Sequence, residues 1–290
     1  MENKTCSNCG FIAQPSAEFC VSCGRELSSF VADNNKRQST SENQLYSIQP
    51  FTGVGSVLNP TLKIFTTNFW FISKLVFVIF APLELIKVLG IGAVDANWQN
   101  AFGAGLLWLI CNALIAPSLI YSLVVQMRTG TTPGLHEAYR YGLSRLIPFC
   151  ACVALSWLLI GLGFVALIIP GIILSLAFQV VYPLATLEKG SPVEILKRSY
   201  RLTDGYKGTI FGAVFVLGLL CSAVGFPITT LSAVLIMSDH VFWPLQVALA
   251  ILTDILNEAY TVLALVIYLS ILSTAVRSET AENLSINFER

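Results

Sequence analysis

The chain has 290 residues, of which 55% are hydrophobic and only 12% are charged, and its mean hydropathy is +0.72. About a quarter of the residues in soluble domains are charged, so this composition excludes an ordinary soluble protein and indicates one embedded in a lipid bilayer. The formal net charge is zero, which favours neither nucleic acid nor an acidic ligand as a partner.

The first 27 residues contain two C-x2-C-G knuckles, which begin at Cys6 and at Cys20. Each knuckle can direct two thiolates at one metal, and four Cys ligands suit tetrahedral Zn(II). Because four Cys ligands leave no open coordination position, the pattern predicts a structural rather than a catalytic zinc site. The segment has little apolar content, so we expect metal binding to drive its folding. The predicted ligands are Cys6, Cys9, Cys20 and Cys23.

Two other uses of these cysteines are disfavoured. A reducing cytosol disfavours disulfides, and two matched knuckles without a βαβ context disfavour a redox pair. The segment resembles the short zinc-ribbon modules at the N-termini of many bacterial and archaeal membrane proteins, with Phe19 and the knuckle glycines matching. Ser7 and Val21 stand where those modules usually have Pro. The resemblance implies a module for protein contacts, and Lys4 and Arg25 alone are too few basic residues to predict nucleic-acid binding.

A polar linker at 28–58 follows the ribbon, and its Ser-, Asn-, Gln- and Thr-rich part up to residue 50 predicts a flexible tether. The membrane domain is predicted at 59–277, beginning with an interfacial helix at 59–65, and a cytosolic tail at 278–290 follows. The first long apolar stretch starts nearly 70 residues in, which predicts no cleavable signal peptide.

The fold class predicted is an all-α integral membrane protein with about six transmembrane helices, because crossing hydrocarbon requires roughly 20 apolar residues in a helix. A Pro170-Gly171 turn separates the third and fourth spans. The stretch 241–275 is too long for one simple span, so it predicts a short outer-surface helix followed by the sixth. The spans are predicted at 69–91, 101–126, 146–169, 170–187, 209–237 and from about 255.

The basic residues predict a cytosolic N-terminus and C-terminus, since short cytoplasmic loops carry the Lys and Arg. Of the 17 basic residues, only Lys74 and Lys87 lie outside the predicted inside segments. The sequence therefore predicts a multi-pass protein of the cytoplasmic (inner) membrane.

Two inside loops resemble each other, one beginning at Thr132-Pro133 and the other at Ser191-Pro192. Ser/Thr-Pro is a favourable start for a helix, and both loops continue with acidic, apolar and basic positions. The pattern predicts two cytoplasmic amphipathic elbow helices in a repeated span-elbow-span unit. Either elbow is a solvated connector or a site for anionic lipid.

The second elbow carries a further resemblance. Pro170-Gly171, then Pro183-Leu184, Glu188 and the run Arg198-Ser199-Tyr200-Arg201-Leu202-Thr203-Asp204-Gly205 precede an apolar span. This order resembles the membrane domain of glycerophosphoryl diester phosphodiesterases and YciC-like bacterial inner-membrane proteins. The resemblance implies a fold whose stand-alone members have no assigned activity. The catalytic barrel of the phosphodiesterases has no counterpart in this chain, which has only two His.

Polar residues within the spans are the remaining candidates for function. Asn112 and Gln179 fit interhelical hydrogen bonds, while Lys87 near the outer membrane surface could join Asp254 or Glu258. On the inside, Glu188 or Asp204 is expected to pair with Arg198 or Arg201. Gly208 and Gly212 form a G-x-x-x-G face, which fits a monomer or a homo-oligomer equally well. Buried hydrophobic positions are expected for the four other cysteines, Cys111, Cys150, Cys152 and Cys221.

The function predicted is a non-enzymatic membrane scaffold or envelope-homeostasis factor whose ribbon recruits a cytosolic protein partner. The alternative is a transporter or channel built from the repeated unit, for which the spans offer few polar residues. A lipid-active membrane enzyme is disfavoured, because Asp239-His240 is the only candidate pair.

Overall fold

The structure is a computed structural model that describes residues 4–5, 12–13, 51–88, 98–237 and 243–288. The chain divides into two compact units, Met1–Ser47 with Met127–Thr131, and Ile48–Gln126 with Thr132–Arg290. In the first unit, strands β1 (Lys4–Thr5) and β2 (Ile12–Ala13) pair antiparallel, with Thr5 opposite Ile12.

All the secondary structure described in the second unit is helical. In five of its helices a Pro lies beyond the first turn, as bundles of apolar helices tolerate. In chain order the helices are α1 (Val54–Thr67), α2 (Phe69–Val88), α3 (Trp98–Thr129), α4 (Leu135–Ala166), α5 (Ile168–Ala177), α6 (Val181–Leu187), α7 (Pro192–Leu202), α8 (Lys207–Met237) and α9 (Trp243–Phe288).

Five helical segments in the described residues are long and apolar enough to cross a membrane. They are Leu109–Thr129, Leu135–Ala166, Ile168–Leu187, Lys207–Ser232 and Pro244–Thr274. A sixth crossing is made if α1 and α2 count as one span, although the two helices are bent by 69°. The coarse prediction of a multi-pass, all-helical membrane domain therefore agrees with the structure.

The N-terminal end of the bundle differs from the prediction. Helix α1 begins at Val54, inside the predicted linker, and extends well beyond the short interfacial helix expected at 59–65. Its buried residues, Val57, Leu58, Thr61 and Phe65, recur on one face that packs against α8 and α9. Burial of this stripe makes α1 part of the bundle rather than a surface helix.

The sixth span is longer than predicted. Helix α9 is uninterrupted from Trp243, so the predicted division into an outer-surface helix and a span from about 255 is wrong. The length of 241–275 predicted two helices, but α9 is continuous from Trp243, and residues 255, 258 and 259 near its middle are buried. The helix also continues to Phe288, past the predicted end of the membrane domain at 277.

Helix α9 is the central helix of the unit. It contacts α1, α2, α6 and α8, and every residue from 261 to 271 is buried. Of its apolar window, 78% is buried, whereas only 17% of the corresponding window of α8 is. Helix α8 therefore presents most of its apolar surface outward, as a lipid-facing helix does, and α9 forms the core.

Glycines allow the helices to approach closely at two crossings. A Cβ on Gly163 would lie 3.1 Å from the Cα of Gly171, and one on Gly171 would collide with the Phe164 ring. The turn between α4 and α5 lies at Leu167, whose backbone is extended. The sequence predicted this turn three residues later, at Pro170-Gly171. Of the predicted G-x-x-x-G pair, Gly212 packs against Val54, while a Cβ on Gly208 would meet nothing within 4 Å.

The two predicted elbows differ in form. The second is a separate helix, α7, whose N-cap Ser191 accepts a hydrogen bond from the Glu194 amide. Glu194 in turn accepts one from the Ser191 amide, completing a capping box. The first elbow is not separate, because α4 runs without a break from Leu135 into the third span.

Candidate functional site

The four predicted zinc ligands, Cys6, Cys9, Cys20 and Cys23, lie outside the described residues. Strand β1 ends at Thr5, immediately before Cys6 in the sequence, and pairs with β2, which begins after the first knuckle. Among the residues that the structure describes, no group of three or more His, Cys, Asp or Glu side chains could hold a metal.

The best-connected polar cluster of the bundle surrounds Glu188, at the end of α6. Glu188 Oε2 lies 2.9 Å from Arg198 Nη1 on α7, and its Oε1 accepts a hydrogen bond of 2.9 Å from the Tyr268 hydroxyl on α9. Three helices therefore meet at one carboxylate. The prediction that Glu188 pairs with an arginine of α7 is confirmed.

Helix α4 joins the same cluster through backbone carbonyls. Arg145 Nη1 lies 3.5 Å from the Glu188 carbonyl oxygen, and the Tyr141 hydroxyl donates to the Thr186 carbonyl at 2.8 Å. Tyr141 also stacks on Tyr121 of α3, with 4.1 Å between ring centroids. The N-terminal turns of α4 and helix α7, which are the two predicted elbow sequences, are thus held together by the end of α6.

The fourth span is interrupted between α5 and α6, at residues 178–180. Such a break leaves backbone carbonyls without their helical donors. The Ala177 carbonyl accepts a hydrogen bond of 2.7 Å from the Ser199 hydroxyl on α7. The hydroxyl of Thr203, the C-cap of α7, lies 3.3 Å from the same oxygen and 3.0 Å from the Ser199 carbonyl, so its one hydrogen is shared between them. All three groups are buried, so α7 supplies the donors that water cannot. Gln179, expected to bond another helix from mid-span, lies within this break.

Asp204 pairs with a lysine and not with an arginine of α7, which was the alternative predicted for it. Its Oδ1 lies 2.9 Å from Lys207 Nζ, one turn away, so its partner is a lysine rather than Arg198 or Arg201. The hydrogen bond from Lys207 lowers the pKa of Asp204, and the lysine's charge adds to the effect. Lys207 also lies 4.6 Å from the centroid of the Tyr200 ring.

The capping box affects Glu194 in a similar way. Its hydrogen bonds with the backbone and side chain of Ser191 lower the pKa of this exposed carboxyl. Hydrogen bonds favour the charged form, because the ionised oxygen accepts more strongly than the protonated acid. Glu194 is therefore fully ionised near neutral pH.

Glu258 lies deeper in the bundle than the sequence indicated. It falls near the midpoint of the window Pro244–Thr274, not at the outer end of a span, and only 3% of its surface is exposed. Its Oε2 atom has no hydrogen-bond partner among the described residues. Asp254 is half-buried and Asn257 is exposed. The three polar residues of this stretch, Asp254, Asn257 and Glu258, therefore lie at different depths, from surface to core.

Lys87 is the predicted partner of Asp254 or Glu258, and its side chain lies outside the described residues. The pairing of Lys87 with Asp254 or Glu258 therefore stays a prediction. Of the four other cysteines, Cys111 and Cys152 are buried as expected, while Cys150 and Cys221 are half-buried.

Sequence reasoning missed two features of the Glu188 cluster. Tyr268 was not singled out, although it is the only hydroxyl-bearing aromatic in the aliphatic run that forms the core of α9. The roles of Ser199 and Thr203 were also missed. Their spacing of four residues on the face of α7 that carries Ile195 and Leu196 was the available signal, because hydroxyls on an apolar face require buried partners.

Comparison with family models, with curated proteins and with solved structures finds no match to this chain.

Proposed function

We propose that the chain is a non-enzymatic membrane scaffold or envelope-homeostasis factor whose N-terminal zinc ribbon recruits a cytosolic protein partner. The observation that carries the proposal is the combination of a four-cysteine motif, a polar tether and a long apolar bundle in one chain. Four thiolates close the coordination shell of Zn(II), so the metal would serve folding and leave no position for a substrate.

The tether supports recruitment over rigid docking. A flexible chain of the composition of residues 28–50 has a root-mean-square span of roughly 25 Å, so the ribbon would sample a wide volume beside the membrane. A bundle held together by buried contacts at its centre would in turn anchor the recruited partner at the bilayer.

The location and family belong to the same proposal. The resemblance of the Pro170-to-Gly205 region supports the YciC-like bacterial inner-membrane family, and the basic residues of the connecting segments support cytosolic termini. Lys189, Lys197 and Arg201 are exposed beside the Glu188 cluster. Each such basic group contributes about 1 kcal/mol near an anionic membrane surface, so both elbow sequences would hold acidic lipid headgroups.

Pull-down tests the recruiting role. The full-length chain, expressed in membranes and photo-crosslinked, should capture a cytosolic protein that is lost when Cys6 and Cys9 are both changed to Ser. Replacing Cys150 and Cys221 by Ser is the matched control, since it removes two thiols from the bundle instead. Identical partners for the wild type and the Cys6/Cys9 variant would refute recruitment by the ribbon.

Elemental analysis tests the metal separately. Purified wild-type chain should contain about one zinc per molecule, as a single site with four cysteine ligands requires, and the Cys6/Cys9 variant should contain none. Partner capture by a wild-type protein without zinc would refute the metal while leaving recruitment in place.

A transporter or channel is the second candidate. The bent pair α1–α2, the break between α5 and α6, and the buried Glu258 favour it. Discontinuous helices and mid-membrane carboxyls are common features of transport sites. Vesicles containing the chain and a pH-sensitive dye would then dissipate an imposed proton gradient faster than protein-free vesicles. Equal rates would argue against proton flux and for the scaffold.

A further inference from the structure

The central helix contains a carboxyl group in an unusual position. Glu258 lies near the middle of α9, is 3% exposed, and leaves Oε2 without a hydrogen-bond partner among the described residues. Transfer of an unpaired carboxylate into such surroundings costs far more than a folded domain can offset. The group therefore requires a proton, a bound cation or a protein cation.

Few described groups are available to neutralise the carboxylate. Two ion pairs lie wholly within the described residues, Arg198 with Glu188 and Lys207 with Asp204, and neither includes Glu258. Thr261, one turn away on α9, carries a hydroxyl and supplies no charge. Asp254, one turn away in the other direction, is itself a carboxyl and supplies no positive charge.

Among the described side chains, the helices packed against α9 carry no fully buried cation. Tyr182 of α6 lies within electrostatic range of Glu258. On α8, Cys221 faces Tyr260 rather than Glu258, and Lys63 of α1 is exposed. Helix α2 carries an exposed lysine, a half-buried glutamate and a lysine whose side chain lies outside the described part: Lys74, Glu84 and Lys87.

We propose that Glu258 is a proton-binding site at the centre of the bundle, protonated at neutral pH. Protonation removes the charge and converts one carboxyl oxygen into a donor, so that burial requires only hydrogen bonds. Loss of the proton would require water or a cation to enter between α6 and α9. The site is independent of the ribbon, because its residues lie entirely within the helical unit.

Infrared spectroscopy of the full-length chain in lipid vesicles tests the proposal. A protonated carboxyl has a C=O stretching band that is separate from the bands of a carboxylate and that shifts in heavy water. At pH 7 the wild type should show one such band that Glu258→Gln lacks. Glu188→Gln is the matched control, because Glu188 is paired with Arg198, and it should keep the band.

A pH series and a second variant make the test decisive. The band should persist through neutral pH and disappear only on the alkaline side. Glu258→Asp should keep a protonated-carboxyl band and shift its frequency, since the shorter side chain holds the carboxyl in different surroundings; this variant keeps the test available if Glu258→Gln does not fold. Absence of the band at pH 7 would overturn the proposal. An ion pair between Glu258 and Lys87 would give that result. A band seen only when sodium is replaced by choline would identify a metal-cation site instead.

Discussion

At the scale of single residues, the clearest finding is that two hydroxyls of α7 complete the interrupted fourth span. Ser199 donates to the Ala177 carbonyl, which has no donor in α6 because the helix is broken after Ala177. The Thr203 hydroxyl shares its one hydrogen between that oxygen and the Ser199 and Tyr200 carbonyls. The Arg-Ser-x-x-Leu-Thr run, which carries the family resemblance, thus has a structural explanation. Arg198 binds Glu188, and the two hydroxyls close the break.

Removing both hydroxyls should destabilise the bundle. Changing Ser199 to Ala and Thr203 to Val together leaves the buried Ala177 carbonyl without donors, a loss of about 1–3 kcal/mol in the free energy of unfolding. Thermal unfolding in detergent micelles would measure it. Ser144→Ala is the control, since Ser144 is exposed and bonds only within its own helix, so it should change stability by less than about 0.5 kcal/mol. Equal effects of the two changes would contradict the proposed role of α7.

The α7 capping box makes a prediction about pH. The Glu194 pKa is lowered in the folded protein, so ionised Glu194 stabilises α7 above the ordinary carboxyl pKa of about 4.3. That stabilisation is lost as the pH falls through the lower, folded value. Glu194→Gln should therefore melt below the wild type at pH 7, and the difference should shrink as the pH falls below the ordinary carboxyl pKa and through the lower, folded value.

Ser191→Ala provides the contrast for this experiment. It removes the uncharged half of the capping box, which costs about 1 kcal/mol and does not titrate. Its deficit in melting temperature should remain at neutral and at acidic pH. A Glu194→Gln deficit that is unchanged at acidic pH would show that the carboxylate charge is not responsible.

At the scale of helices, the crossing of α3 and α4 depends on Gly142. A Cβ at this position would lie 2.7 Å from the Leu114 carbonyl oxygen and closer still to the Ser118 hydroxyl. Ser118 itself donates to Leu114, so neither group can move away freely. Gly142→Ala should cost about 1–3 kcal/mol through overpacking, measured by thermal or denaturant unfolding.

Gly161 on the same helix is a matched control for this substitution. A Cβ there would meet nothing within 4 Å, and Ala is favoured over Gly inside a helix by up to about 1 kcal/mol. Gly161→Ala should therefore leave stability unchanged or raise it. The same loss at both positions would mean that the α3–α4 crossing is not close-packed.

Helix positions were largely predictable, whereas helix boundaries and partners were not. The apolar run of the fifth span places α8 within two residues of its observed start, because nothing interrupts its hydrophobicity. The interruption at 178–180 contains no Pro or Gly itself, but Pro183 cannot donate to the Gln179 carbonyl four residues earlier, which was the available signal. What the sequence did not show is that a distant hydroxyl bonds to Ala177 and compensates for the break. The depth of Glu258 was likewise hidden, since burial by neighbouring helices cannot be deduced from the composition of one helix.

At the scale of the whole molecule, the contacts of Phe51 show which helix ends lie at the same end of the bundle. The Phe51 amide donates to the Thr274 hydroxyl at 3.1 Å, and the Phe51 ring lies 4.9 Å from that of Tyr206. The start of α1, the start of α8 and the end of the α9 window therefore lie at one end. If α1 and α2 instead formed a re-entrant loop, the same five remaining spans would put the N-terminus opposite the C-terminus.

These contacts favour a crossing by α1 and α2, since they put the start of α1 at the same end of the bundle as the end of the α9 window. The length of α2 agrees, because a helix of 20 residues is about as long as hydrocarbon is thick. Green fluorescent protein, which fluoresces only in the cytosol, should therefore fluoresce when fused to either terminus in bacteria. Alkaline phosphatase, which is active only outside it, should be active when inserted between α8 and α9. A fusion at Gly190, between α6 and α7, is the internal control for the cytosolic side. An N-terminal fusion that is dark beside a bright C-terminal one would instead establish five spans and a re-entrant pair.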